Sequence, residues 1–443
     1  MRLKARKVAV RKIVAFALGL SVCTNVIYGF RLGNTVVLIP YIITLIGVVI
    51  LVINRGGISQ FIVAAKKMDN SLKIYSFINV LSLMLVVIYF GINGTTIAIS
   101  VKGLILYFCG IAIYLLAVSL KNECHYIMSG LYWGIIINVI FCLLSFFAFN
   151  KGLYFSLYEL FPQEAFAVNV KWGVTTGSLA KSFVIYSYRA QGLFLEASHF
   201  SGFLIALFVP VIAYMKKSNL NTLIIVAVIY FELISGTPNF IILIVEAFVV
   251  IFFGEDKKQM RFGVVKKRTA YIMGVSIIAI LFLIINADKL DLSAYFQAIN
   301  TVLNSLDIAD VGNTDRYRGM QVGFSFIKDN PLGIGYNLEP YLFNSSNAGA
   351  SLHSSFSFAL KLLVETGPLG FISYIYVIFC FCRKGIKYRS NRLLFSLAIA
   401  CLFCALMQFV NGIAILPYMW LLFGLTEITS DFETTSRIKK GII

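Results

Sequence analysis

An all-α, polytopic membrane protein of about twelve transmembrane helices, with two long outer loops containing short helices, is the fold class the sequence predicts. Three observations predict it. Hydrophobic residues fill 59% of the 443 positions and charged residues only 13%, where a soluble domain carries about 25% charged; mean hydropathy is +0.86. The apolar residues fall in repeated runs of about 17–25, enough to cross a bilayer. The lysines and arginines collect in short clusters between those runs, as in the loops of membrane proteins.

Twelve apolar runs lie at about 13–30, 34–53, 74–92, 96–120, 126–149, 199–215, 220–235, 239–253, 270–286, 355–382, 393–410 and 412–428. The first ends in Tyr28-Gly-Phe30-Arg31 with no small-residue cleavage site, so no cleavable leader is expected. If the runs alternate across the membrane, segments on one side hold 27 of the 38 Lys and Arg and segments on the other hold nine. The richer side is cytoplasmic by the positive-inside rule, which places both termini in the cytoplasm. That distribution also accounts for the net charge of +18 without nucleic acid. The chain divides into helices over 1–149, a first outer loop over 150–198, helices over 199–286, a second outer loop over 287–352, and helices with a cytoplasmic tail over 353–443. Loops this long are usually functional. Leu292 to Ile308 has the mixed pattern of an amphipathic helix on the membrane surface or on the other loop.

The eight cysteines fall in apolar runs or beside inner loops, so no structural disulfide is expected. Cys380-Phe-Cys382 and Cys401-Leu-Phe-Cys404 read as small apolar helix residues rather than metal ligands. No zinc spacing, phosphate loop, nucleophile elbow or outer Asp-x-Asp pair occurs, so neither a metal nor another cofactor is expected.

Polar residues with chemical potential concentrate at the outer ends of the sixth and tenth runs. Arg189 and Glu196 flank the sixth, in Tyr188-Arg-Ala-Gln-Gly-Leu-Phe-Leu-Glu-Ala-Ser-His-Phe200. A carboxylate in the apolar setting of Glu196 is either paired with a cation or has a raised pKa, the latter making it the stronger proton acceptor that a general base should be. Ser198 is a candidate N-cap. Arg316 and Arg318 follow the acids Asp307, Asp310 and Asp315. Guanidinium forks suit a diphosphate, though pairing with those aspartates is an equal reading. Pro331 with Gly333 and Gly335 marks a tight turn whose backbone could approach a ligand. His353, at the start of the tenth run, could accept a proton from a hydroxyl or simply begin the helix. Lys361 and Glu365 are four apart on one helical face and are expected to pair. Gly367-Pro368 should bend or break that helix. Glu232 is placed at an outer vestibule, and Glu246 has no assigned role.

In their order these residues resemble the O-antigen polymerase and ligase superfamily of membrane glycosyltransferases. Arg189…Gly192…Phe194…Glu196-Ala-Ser198 is similar to that family's Arg-x-x-Gly-x-Phe-x-Glu-Pro-Ser. Arg316 stands fifteen residues ahead of Pro331-Leu-Gly-Ile-Gly335, as the family's arginine precedes its Pro-Leu-Leu-Gly-x-Gly. His353-Ser354 with Glu365-Thr-Gly367 and Gly370 resembles His-Asn…Glu-x-Gly-x-x-Gly. Ala197 replaces a proline, Ser354 an asparagine, and no arginine follows Ile234-Ser-Gly-Thr-Pro238 where many members carry Ser-x-Ser-Arg.

The resemblance implies metal-independent transfer of a glycan from undecaprenyl diphosphate to a hydroxyl of a second lipid-linked repeat unit, building O-antigen or capsular polysaccharide. It implies His353 or Glu196 as base, and Arg189, Arg316, Arg318 and Glu365 as substrate-binding residues. The partners are undecaprenyl-diphosphate-linked oligosaccharides and membrane lipid; whether a chain-length regulator binds is left open. The alternatives are an O-antigen ligase and a lipid-linked oligosaccharide flippase.

Overall fold

The computed structural model describes residues 2–24, 28–32, 35–53, 57–150, 190, 192–194, 197–215, 218–234, 239–254, 315–345, 357–410 and 416–439. Apart from one small hairpin, the regular structure they form is helical. Helix α1 (Arg2–Ser21) leads to strands β1 (Tyr28–Leu32) and β2 (Thr35–Leu38), then α2 (Ile39–Ile53) and α3 (Gly57–Lys66). Next come α4 (Asn70–Leu81), α5 (Leu83–Phe90), α6 (Gly94–Ser119), a 3-10 turn (Lys121–Glu123) and α7 (Cys124–Asn150). The middle third gives α8 (Ala197–Tyr214), α9 (Asn219–Ile234) and α10 (Asn239–Phe253). The last part gives α11 (Asp315–Asp329), α12 (Glu339–Ser345), α13 (Phe358–Lys387), α14 (Arg392–Val410) and α15 (Pro417–Lys439).

Among the described residues, five helical stretches are long and apolar enough to cross a membrane: α4 with α5, α6, Lys121–Phe147, α13 and Arg392–Phe409. The bent pair α2–α3 would make six, and shorter apolar helices cover His199–Tyr214, Asn219–Glu232 and Ile241–Phe253. This is the architecture of a membrane-embedded protein, because in lipid a helix satisfies its own backbone polar groups. Eleven of the twelve apolar runs overlap a described helix, and the run at about 270–286 lies outside the described residues. The first run differs most from expectation. Helix α1 begins in the basic arm and stops at Ser21, and Tyr28 to Leu38 pairs as an antiparallel hairpin. Leu32 opposes Thr35, and Val36 and Val37 suit a strand.

Helices close on one another where small residues remove bulk, the usual means of packing in lipid. A Cβ on Gly130 of α7 would sit 2.9 Å from the Leu20 amide nitrogen of α1. Helices α13 and α14 run antiparallel: Gly385 meets the start of α14, and the Ser357 hydroxyl donates to the Phe409 carbonyl at 2.8 Å at its far end. All eight cysteines are free thiols.

One end of the bundle gathers the charges. Arg11 donates from Nε and Nη2 to the Glu123 carboxylate, both at 2.9 Å, and from Nη2 to the Ser119 carbonyl at 2.8 Å. Lys384 lies 2.7 Å from Asp69 and 2.5 Å from Glu427. Lys121 lies 4.0 Å from Asp431. These residues belong to segments that the charge count had placed on a single side.

Asp69 caps α4, accepting from the Ser71 amide at 2.9 Å. Burial alone would raise its pKa, but Lys384 and the Ser71 donors outweigh burial and hold it below the ordinary carboxylate range. A depressed folded pKa adds stability that is complete above the unfolded value near 3.9 and lost as pH falls through the folded one. Thermal unfolding in detergent should therefore show wild type losing stability below about pH 4, with a shallower loss in Asp69→Asn. Lys384→Ala should cost about 3 kcal/mol at neutral pH, since it leaves two carboxylates unpaired.

Candidate functional site

Helix α13 is broken in its third turn, at Gly367, and the break organises the site. Gly367 adopts φ 64°, ψ −167°, and Pro368 has no amide hydrogen. The Val364 carbonyl therefore loses its helical donor, and the turn at Gly367 carries the next donor away from the Glu365 carbonyl. Both carbonyls sit in a buried stretch, where an unpaired carbonyl is costly. The segment after α11 supplies the missing donors. The Ile334 amide donates to the Val364 carbonyl at 3.0 Å, and the Gly335 amide donates to the Glu365 carbonyl at 2.8 Å.

That fit needs glycine on both sides. Gly333 has φ +88°, and a Cβ there would lie 2.6 Å from the Gly367 nitrogen and 2.7 Å from the Glu365 carbonyl oxygen. A Cβ on Gly367 would lie 2.5 Å from the Leu332 carbonyl oxygen. The Gly333/Gly335 backbone, expected to approach a ligand, thus approaches the helix break instead. Ile334, Leu338, Val86 and Val364 form a small separate core beneath the turn.

Side chains complete the join. Glu365 is buried, and its Oε1 accepts from the Glu339 amide at 3.3 Å and lies 3.8 Å from Lys361 Nζ, the expected pair. The Tyr336 amide donates to the Ser82 hydroxyl at 3.2 Å, in the gap between α4 and α5. Asn337 Nδ2 donates to the Ile99 carbonyl at 3.2 Å. The loop between α11 and α12 is therefore seated among α4, α5, α6 and α13. Next to it lies a buried polar group. Tyr107 contacts Tyr336 and Tyr75, with ring centroids 5.9 and 5.8 Å apart, and Ser76 Oγ is 3.0 Å from the Tyr107 hydroxyl. Asn79 is fully buried beside them.

A second anchor lies before α8. Gly192 takes φ +52°, and the Leu193 amide donates to Asn138 Oδ1 of α7 at 2.6 Å. Phe194 stacks on Phe203 of α8 at 5.0 Å and packs on Phe200 at 5.7 Å. Gly202, near the start of α8, meets Met407 near the end of α14. Since Ser357 is bonded to Phe409, the starts of α8 and α13 both adjoin the end of α14.

Arg189, Glu196 and His353 lie outside the described residues. Arg189 directly precedes the buried Ala190, Glu196 directly precedes α8, and His353 stands four residues ahead of Ser357. Arg316 and Arg318 lie in the first turn of α11, whose helix packs on α13. Glu365 is the expected site residue whose contacts are described, and they are all to protein. Helix α8 begins at Ala197, one residue ahead of the proposed cap Ser198. Glu232 is not at a vestibule: it is fully buried and accepts from the Ser201 hydroxyl at 2.6 Å. Glu246 is fully buried, and among the described residues neither of its carboxylate oxygens has a hydrogen-bond partner. Among the described residues, no three His, Cys, Asp or Glu side chains come together as a metal site. Sequence reasoning missed Ser82, Asn138 and Asn337; only the positions of Asn and Ser inside apolar runs could have signalled the first two.

No protein-family model matches the chain, and no curated protein matches it.

Gly333→Ala should cost about 1–3 kcal/mol, the range for a strained backbone position, and should raise protease cleavage between 330 and 345. Leu332→Ala, which removes an exposed side chain, should leave both readouts near wild type.

Proposed function

We propose that the protein is a membrane glycosyltransferase that polymerises undecaprenyl-diphosphate-linked repeat units into O-antigen or capsular polysaccharide on the outer face of the cytoplasmic membrane. In this reading the chain makes twelve spans with both termini in the cytoplasm, and the loops at 150–198 and 287–352 lie outside. One observation carries the proposal most directly. The starts of α8 and α13, next in sequence to Arg189 and Glu196 and close to His353, both adjoin the end of α14. The helix bearing Arg316 and Arg318 docks on α13 as well. In this reading chemical groups far apart in the chain gather at the end of the bundle opposite the clustered ion pairs.

The proposed reaction needs little more than positioning and charge. An acceptor hydroxyl on one lipid-linked repeat unit attacks the anomeric carbon of the other. The new glycosidic bond forms as the bond to the diphosphate breaks, with inversion. His353 or Glu196 takes the hydroxyl proton. Arg189 and Arg316, with Arg318 assisting, balance the charge that grows on departing undecaprenyl diphosphate. Glu365 serves this chemistry indirectly, since its side chain and main chain hold the loop that follows the arginine helix.

Purified protein given lipid-linked repeat units should build a ladder of longer glycans. Arg316→Ala and His353→Ala should each slow it by about 10²–10³-fold, with folding unchanged by thermal melt. Glycan appearing on a lipid A core acceptor would identify a ligase instead. Movement of the lipid-linked unit across vesicles with no new glycosidic bond would identify a flippase.

A further inference from the structure

The charged end of the bundle holds a feature that the proposed reaction does not use. Helix α3 turns by 118° from α2 and packs against α6. It thus lies across the end of the bundle rather than along it. Its outward side carries two apolar residues, Ile58 at 51% exposed and Ile62 at 48%. Such a surface is costly in water and is satisfied by acyl chains at a membrane boundary. Lys66 and Lys67 follow at its C-terminal end.

Beneath α3 is a cleft of about 190 Å³ between this helix, α1, the end of α6, the 3-10 turn and α15. Arg11, Lys67 and Lys121 line it with Ser59, Gln60, Asn122 and Asp431, and Val63, Ala64 and Val118 form its apolar wall. The charges do not cancel. Arg11 is matched by Glu123, and Lys121 lies 4.0 Å from Asp431. Lys67 has no acidic partner among the described residues and is exposed. One positive charge is left, facing a cleft with amide and hydroxyl groups, next to an apolar helix face.

We infer that this cleft binds the phosphate-bearing headgroup of a singly charged anionic phospholipid. The phosphodiester sits between Lys67 and Lys121, and an acyl chain lies along Ile58 and Ile62. A single phosphodiester carries the one negative charge the lining lacks, and the attraction of lysines to anionic headgroups is strongest at this boundary. The lipid then ties α3 to α1, α6 and α15, at the end away from the proposed reaction. The inference does not depend on that reaction.

The test is native mass spectrometry of the full-length protein in detergent, titrated with phosphatidylglycerol, phosphatidylcholine or inorganic phosphate. Phosphatidylglycerol should be retained in preference to phosphatidylcholine. The double variant Lys67→Ala/Lys121→Ala should lower its binding by about tenfold, and Lys67→Ala alone by about fivefold. The Lys67 side chain makes no hydrogen bond or ion pair among the described residues, so the single variant keeps the test sound even if the double variant is unstable. Lys66→Ala, on the same helix but outside the cleft, should change binding by less than about twofold. Equal binding by wild type and Lys67→Ala would overturn the proposal, as would equal loss in Lys66→Ala. Displacement of the lipid by an equal concentration of inorganic phosphate would also overturn it, by reassigning the cleft to a soluble anion.

Discussion

Two carbonyl groups that a helix cannot satisfy for itself shape one whole end of this protein. Pro368 removes a donor and Gly367 turns the chain, so Val364 and Glu365 present bare oxygens in a region sheltered from water. Inside a membrane bundle no solvent is at hand to compensate. The amides of Ile334 and Gly335 fill the gap, and glycines at 333 and 367 let the two backbones come within bonding range. A loop more than 25 residues away in sequence becomes part of the bundle through main-chain bonds. Glu365 adds its side chain to the same join. Helix α11 with its two arginines, which leads into this loop, is fixed by the same contact.

The two ends of the bundle differ in kind. At one, ion pairs join α1 to the 3-10 turn, α4 to α13 and α15, and the 3-10 turn to α15. Arg11, Lys121 and Lys384 each have a carboxylate there, and the arrangement ties successive helices together. At the other, polar groups belong to loops and helix starts, and the joins are made by glycine, asparagine and main-chain amides. An end held by ion pairs and an end built from loops suit different tasks, and the groups of the proposed reaction belong to the second.

Much of this was legible in the residues. Apolar runs located the helices because a membrane helix must be apolar along its length, and Gly367-Pro368 announced a break because proline cannot donate. The spacing of Lys361 and Glu365 announced their pairing. Other features were hidden for physical reasons. Tyr28 to Leu38 is apolar enough to pass for a span end, so its pairing as two strands was not legible. Gly333 and Gly335 signalled close approach, but a glycine pattern does not say whether a ligand or a neighbouring helix comes close. Asn138, which holds Leu193, and Ser82, which holds Tyr336, act across 55 and 254 residues of sequence. No local pattern encodes such partners. Glu232 and Glu246 show the same limit, since their position in the sequence gives depth along a helix but not the direction they face.

Hydrogen exchange of the native protein in detergent, read for the amides of Ile334 and Gly335, bears most directly on this picture. Bonded to the broken helix and screened from water, both should exchange as slowly as amides inside α13 and stay protected until the bundle opens. Exchange at the rate of an unstructured surface loop would mean that the 330–338 segment is not seated on the break, and the arrangement built on that contact would fall with it.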